Sequence, residues 1–180
     1  VKKFMAATDV AGGWDVHVGS SAMEAIQTPS MGTLLIDKPG YLGPRDFTQE
    51  GDVMESWEFS PDRMTLTMKL RPNVKFAPVA PVNGRVLDME DVLFSWKRFS
   101  EISPSRNDLV NSLNPGAPVL SFEAPDDTTL VIKLKAPSAT TLALFSAHNS
   151  GKLQIFPKEA DGGYDPKRAE VYERLGIPTV

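Results

Sequence analysis

Few side chains in this sequence can do acid–base, nucleophilic or metal chemistry. The 180 residues hold two histidines, His17 and His148, and no cysteine. That excludes thiol catalysis, thiolate zinc sites and disulfides, and two imidazoles so far apart make neither a triad nor a metal site by spacing. His17 has the richest surroundings. Trp14-Asp15-Val16-His17-Val18-Gly19-Ser20-Ser21 places an aromatic ring, a carboxylate, an imidazole and two hydroxyls in one short segment. It reads either as a polar loop with one internally satisfied histidine, or as a loop in which Trp14, Asp15, His17, Ser20 and Ser21 contact a ligand.

The other chemically suggestive group is Asp88, Glu90 and Asp91. Close carboxylates can serve as a general acid and base. Their place at the start of a helical pattern explains them better, with Asp88 as N-cap and acidic groups at the positive end of the helix dipole. Asp126-Asp127 belongs to a turn. The sequence contains no Gly-x-Ser-x-Gly elbow, Walker loop, His-Glu-x-x-His or Asp-rich calcium loop. It calls for no catalytic residue, metal or cofactor, and the expectation is that the protein is not an enzyme.

The elements that would position these groups are clearest between Glu55 and Phe99. Trp57 and Phe59 alternate with Glu58 and Ser60, the period of a half-buried strand. After a turn at Ser60-Pro61-Asp62-Arg63, Met64, Leu66, Met68 and Leu70 alternate with Thr65, Thr67, Lys69 and Arg71. The pair predicts a hairpin, and the parity of Val74 and Phe76 lets the strand resume beyond Pro72. Pro61-Asp62, Thr65-Leu66 and Lys69-Leu70 recur at constant offset as Pro125-Asp126, Thr129-Leu130 and Lys133-Leu134. This predicts a second hairpin with an equivalent turn. Two ordinary hairpin turns explain the recurrence without a repeat architecture.

Between the hairpins, Val92, Trp96 and Phe99 fall at i, i+4 and i+7, flanked by Met89 and Leu93, and predict an amphipathic helix. Lys97 and Arg98 sit toward its C-terminal end, where the dipole favours cations. Trp57, Leu66, Trp96 and Phe99 are the expected core. Further short elements are expected at Phe4–Ala7, Ala22–Gln27, Gly32–Ile36, Pro137–Phe145 and Lys152–Pro157, with a last helix from Asp165 to Gly176. The fold class is α+β, a mixed and mostly antiparallel sheet of hairpins with a few short packed helices.

Composition is that of an ordinary globular chain, 41% apolar with a formal charge of −4. A net acidic chain with Lys97–Arg98 as a mere doublet argues against nucleic acid. No apolar run approaches the roughly 18 residues a membrane helix needs, and Val1–Val10 lacks the apolar stretch of a signal peptide. A secreted protein with this sequence would have lost its signal.

The central stretch resembles family 5 of the extracellular solute-binding proteins, the peptide- and nickel-binding receptors of bacterial ABC importers. The resemblance rests on an ordered series: Ser56-Trp57-Glu58, Asp62, Leu70-Arg71-Pro72, Val74-Lys75-Phe76 and Glu90-Asp91-Val92-Leu93-Phe94-Ser95. It extends backward to Asp15-Val16-His17 and forward through Thr129–Pro137 to Ile155-Phe156-Pro157-Lys158-Glu159. Val16 stands where the family has proline, and Pro81-Val82-Asn83-Gly84-Arg85 forms a longer loop than many members have.

The resemblance implies part of a periplasmic-binding-protein type II-like architecture. Members are several times longer than this chain and close two lobes over a ligand. On this basis residues 1–33 are a segment of the first ligand-binding lobe. Residues 34–160 are a small extra lobe with both hairpins and the central helix, and 161–180 are a C-terminal helix and the fragment end. The implied partners are an oligopeptide or similar small solute and the permease subunits of an importer. The implied setting is the periplasm or cell exterior, soluble or lipid-tethered. In the cleft, the backbone around Trp14–Ser21 with His17 and Ser20 would hydrogen-bond an extended ligand. The alternative is an autonomous interaction domain without a small-molecule cleft, docking a partner through strand edges or proline-rich loops.

Overall fold

A computed structural model describes residues 17, 32–38, 48–78, 82–146 and 153–161. Strands β1 (Leu35–Asp37) and β2 (Gln49–Gly51) pair antiparallel. Strands β3 (Met54–Phe59) and β4 (Thr65–Leu70) form the first hairpin. Helices α1 (Met89–Ile102) and α2 (Arg106–Leu109) follow, then the second hairpin, β5 (Val119–Asp126) with β6 (Thr129–Leu134). The hairpins join through β4 and β6 into one antiparallel sheet of order β3-β4-β6-β5.

The turns share the predicted aspartate bond but are not equivalent, since the first loops through residues 60–64 with Arg63 at positive φ while the second is only Asp127-Thr128. Asp62 Oδ1 accepts from Met64 N at 3.0 Å and Asp126 Oδ1 from Thr128 N at 2.8 Å, the side chain bonding its own backbone two residues on. The two copies also meet symmetrically. Thr67 pairs with Val131, while Thr65 pairs with Lys133 and Lys69 with Thr129. Since Thr65, Thr67 and Lys69 correspond to Thr129, Val131 and Lys133 in the recurrence, the repeat is organised about a local two-fold axis through the Thr67–Val131 pair. The symmetry is incomplete, because β5 carries an irregularity between Glu123 and Asp126.

Alternation decides which face of the sheet is buried. Leu66, Met68, Leu130, Ile132 and Leu134 point inward and are buried, with Lys69 and Lys133 exposed on the other face. Helix α1 covers the inner face. Leu66 and Phe99 are fully buried as expected, but Trp57 and Trp96 are only partly buried against the core. The Trp96 ring lies 4.6 Å from Phe122 and 5.9 Å from Phe99, stacked on both. It shields the sheet edge while one side stays open, because an indole is too wide to be enclosed at the margin of a four-stranded sheet.

After Pro72 the strand does not resume as expected; a single bridge takes its place. Asn73 takes a positive φ of 63°, and Lys75 then bridges Val86. The chain reverses through Asn83 and Gly84, both at positive φ, with Arg85 N bonded to Val82 O at 3.0 Å. Asn-Gly suits this turn because it demands two left-handed residues in succession. Gly32–Ile36 becomes a bridge at Thr33 and then β1. Within Pro137–Phe145 the helix is shorter and later than predicted, a 3-10 turn at Leu142–Phe145. Lys152–Pro157 contributes an antiparallel bridge from Gln154 to Thr33 rather than a full strand. The elements expected at Phe4–Ala7, Ala22–Gln27 and Asp165–Gly176, and His148, lie outside the described residues.

Candidate functional site

Helix α1 carries two buried stripes. Val92 and Phe99 belong to the apolar one, with Trp96 between them. Asp91, Ser95 and Arg98 are buried one position earlier at each step, about 100° around the helix. This polar stripe is where the segment 153–159 docks.

At the first turn Asp88 caps α1 as predicted, and Asp91 returns the bond, which the sequence alone does not predict. Asp88 Oδ1 accepts from Asp91 N at 3.1 Å and Asp91 Oδ2 from Asp88 N at 2.9 Å, a reciprocal capping box. Asp91 does more than cap. The Asn83-Gly84 turn delivers Arg85, whose Nη1 and Nη2 donate to Asp91 Oδ2 and Oδ1 at 2.7 and 2.6 Å. Lys158 N also donates to Asp91 Oδ1 at 2.9 Å. The carboxylate is wholly buried, and these hydrogen bonds with the paired guanidinium offset its lost hydration.

Arg85 also donates to Glu159 through Nε at 2.6 Å, and its Cζ lies 5.1 Å from the Phe76 ring centre. Lys158 Nζ reaches Asp88 Oδ2 at 2.8 Å and also pairs with Glu90. The electrostatics follow from these contacts. Hydrogen bonds to Asp91 and Glu159 hold the Arg85 guanidinium well above its ordinary value, and those to Asp88 and Glu90 raise Lys158. The hydrogen bond from Arg85 lowers Glu159. Burial pushes Asp88 up, yet the bonds from Lys158 and the Asp91 backbone outweigh it and leave the carboxyl below its ordinary value.

One turn on, Ser95 Oγ donates to Asp91 O at 2.7 Å and accepts from Phe156 N at 2.8 Å. At the third step Arg98 Nη1 lies 3.0 Å from His17 Nδ1, and its Cζ is 5.1 Å from the Phe156 ring centre. His17 Nε2 is 2.9 Å from Gln154 O. The imidazole is 1% exposed and packs edge-on to Phe99 and tilted on Phe156.

His17 therefore belongs to the packed interior, with both ring nitrogens engaged by protein groups. Of the five residues read as ligand contacts, it is the one within the described residues; Trp14, Asp15, Ser20 and Ser21 lie outside them. The Gln154 side-chain amide is fully buried, and among the described residues neither of its polar atoms has a hydrogen-bond partner. Among the described residues no cluster of three or more His, Cys, Asp or Glu could hold a metal ion, and no helix is long and apolar enough to cross a membrane.

Arg85, Ser95, Arg98 and Gln154 were not legible as site residues. The signal was present for two of them, since Asp91, Ser95 and Arg98 have the same i, i+4, i+7 spacing as the apolar stripe. Other members of the ordered series also hold the frame. Arg71 Nε and Nη2 donate to Asp52 O and Gly51 O at 2.8 and 2.9 Å, tying β4 to the corner between β2 and β3.

Residues 48–171 match the family described as bacterial extracellular solute-binding proteins, family 5, middle part. A Brucella ovis protein, provisionally named an ABC transporter peptide-binding protein, is 30% identical over 120 residues, which are 66% of this chain and 20% of that protein. Proteins of the same name in Brucella abortus and Brucella suis match equally. Among solved structures, the periplasmic binding protein MoaA of A. tumefaciens R10, in complex with mannopinic acid, aligns with a TM-score of 0.68 and 28% identity. That alignment covers 93% of this chain and 31% of MoaA. Helicobacter pylori DppA, in complex with the peptide STSA, aligns with a TM-score of 0.66 and 24% identity over 91% of this chain and 32% of its own. The chain thus spans about a fifth of its curated relatives and a third of these structures. Its α+β fold is that of the periplasmic binding proteins of the type II-like class.

Proposed function

The chain belongs to family 5 of the bacterial extracellular solute-binding proteins, and from that membership we propose that it is part of the substrate-capture protein of an ABC importer. The observation that carries the reading is the family match over residues 48–171, which spans both hairpins, α1 and the docked segment 153–159. The full protein captures an oligopeptide or similar small solute outside the cytoplasmic membrane and presents it to permease subunits. Capture involves no catalysis. It needs a cleft whose closed form is favoured by the bound solute.

In this reading residues 1–33 belong to the first ligand-binding lobe, residues 34–160 form the small extra lobe, and 161–180 lead onward. The protein acts in the periplasm or at the cell exterior, free or lipid-tethered. Trp14, Asp15, Ser20, Ser21 and the nearby backbone face the solute, while His17 serves from behind. The name of the Brucella relatives favours a peptide, and the alternative of an autonomous interaction domain has no support. Calorimetric titration of the full-length protein with a defined peptide mixture and with mannopinic acid tests this. Saturable binding of peptide is expected. Binding of neither class, by a protein shown to be folded, would overturn the reading.

A further inference from the structure

We propose that helix α1 stands in for a strand. Asp91 and Ser95 take the hydrogen bonds along one edge of segment 153–159 while β1 and the residues before it hold the other, so that the segment's contacts with the hairpin unit and with β1 open together. This coupling is independent of what the protein binds.

Successive backbone groups of an extended chain face opposite ways. Ile155 N donates to Gly32 O at 2.8 Å, beside the antiparallel bridge from Gln154 to Thr33. Phe156 N turns the other way and donates to Ser95 Oγ at 2.8 Å, and Lys158 N, two residues on, donates to Asp91 Oδ1 at 2.9 Å. Pro157 lies between them and has no N–H, so it continues no pairing toward β1.

The spacing of helix and strand makes the match possible. One edge of a strand repeats every two residues, about 6.6 Å, and positions i and i+4 of a helix stand about 6 Å apart along its axis. Asp91 and Ser95 have that helical separation and run antiparallel to Lys158 and Phe156. Both acceptors are fully buried and fixed from behind. Ser95 Oγ donates to Asp91 O at 2.7 Å, and Arg85 holds both carboxylate oxygens of Asp91. An apolar helix face would cover the segment equally well, but it would offer the N–H groups of Phe156 and Lys158 no acceptor.

The test is amide hydrogen exchange in the full-length protein, resolved to single residues across 153–159. Ser95→Ala removes the acceptor of Phe156 N and touches no printed bond of Ile155, whose partner is Gly32. Ser100→Ala is the control, because Ser100 Oγ donates to Lys97 O on the same helix. Ser95→Ala is expected to speed exchange at Phe156, Lys158 and Ile155 together, about tenfold, the loss of one hydrogen bond. Leu130 and Ile132 in β6 read global unfolding and are expected to keep their wild-type rates, and Ser100→Ala should change none of these residues. Faster exchange at Phe156 with a wild-type rate at Ile155 would show that the two edges are independent and overturn the proposal. Wild-type rates at all three, an equal effect of Ser100→Ala, or a rise at Leu130 and Ile132 as large as at Ile155 would overturn it as well. If Ser95→Ala does not fold, Glu159→Gln weakens the far end of the segment at Arg85 instead. In that folded variant a joint rise at Ile155 and Phe156 supports the proposal, and an unchanged Ile155 overturns it.

Discussion

Arg85 grips Asp91 with two parallel hydrogen bonds of 2.7 and 2.6 Å at the first turn of α1, and the neighbouring Nε–Nη2 edge of the same guanidinium reaches Glu159. One side chain thus joins the loop before the helix, the helix itself and the segment that returns 74 residues later.

Removing either member should be costly, because it strands the other without its partner. Arg85→Met or Asp91→Ala is expected to destabilise by about 2–4 kcal/mol, below the upper range for breaking a fully buried pair because the Arg85 side chain is 25% exposed. Arg85→Lys should recover little of this, since an ammonium cannot bond in parallel to both oxygens. Denaturant midpoints of the single and double variants measure it. Additive losses in the double variant would show that the two groups act independently.

The same junction sets the pH dependence. Glu159 and Asp88 titrate below their ordinary values of 4.5 and 3.8. Their contribution is complete above those values and is lost as pH falls through the lower folded ones. Lys158 is raised above 10.5, so its contribution is present below that value and fades only at more alkaline pH. Stability should therefore be flat with respect to this cluster from about pH 5 to pH 10 and fall on the acid side. Glu159→Gln should shrink the acid limb in melting curves recorded from pH 2 to 7. An acid limb identical to wild type would remove Glu159 from the account.

Phe99 and Trp96 should differ sharply despite their shared stripe. Phe99→Ala opens a cavity at a fully buried site and is expected to cost about 3–5 kcal/mol. Trp96 is only partly buried, so Trp96→Ala should cost about 1–3 kcal/mol, mostly lost stacking on Phe122. Equal losses in urea denaturation would contradict the partial exposure of the indole.

The two hairpin turns allow a matched comparison. Asp126 accepts from Thr128 N, Thr128 Oγ1 and Thr129 Oγ1, whereas Asp62 accepts from Met64 N and Ser60 Oγ. Asp126→Ala should therefore lower the melting temperature more than Asp62→Ala, with faster amide exchange confined to the β5–β6 turn. The reverse order would mean that the β-irregularity in β5, rather than the aspartate, sets that turn.

Much of the scaffold was legible because local rules governed it. Alternation placed Leu66 and Met68 inside, Pro-Asp placed both turns, and Asp88 marked the helix start, each decided by neighbours within a few residues. Trp57 and Trp96 show the limit, since aromatic identity and spacing predict a buried face but not how far the sheet extends over it. Asp91 and Arg98 show it more sharply. Each has a sufficient local explanation, in capping and in the helix dipole, and nothing local reveals that both are buried.

The sequence by itself determined the periods, the turn chemistry, the ordered series that marks the family and the lack of thiol chemistry. Only the tertiary structure decided that Asp91, Ser95 and Arg98 form one buried polar stripe and that His17 is held by it. The physical reason is that a polar helix face is solvated until another segment covers it. Here the covering groups, Gln154 to Glu159, lie some 60 residues away along the chain from α1.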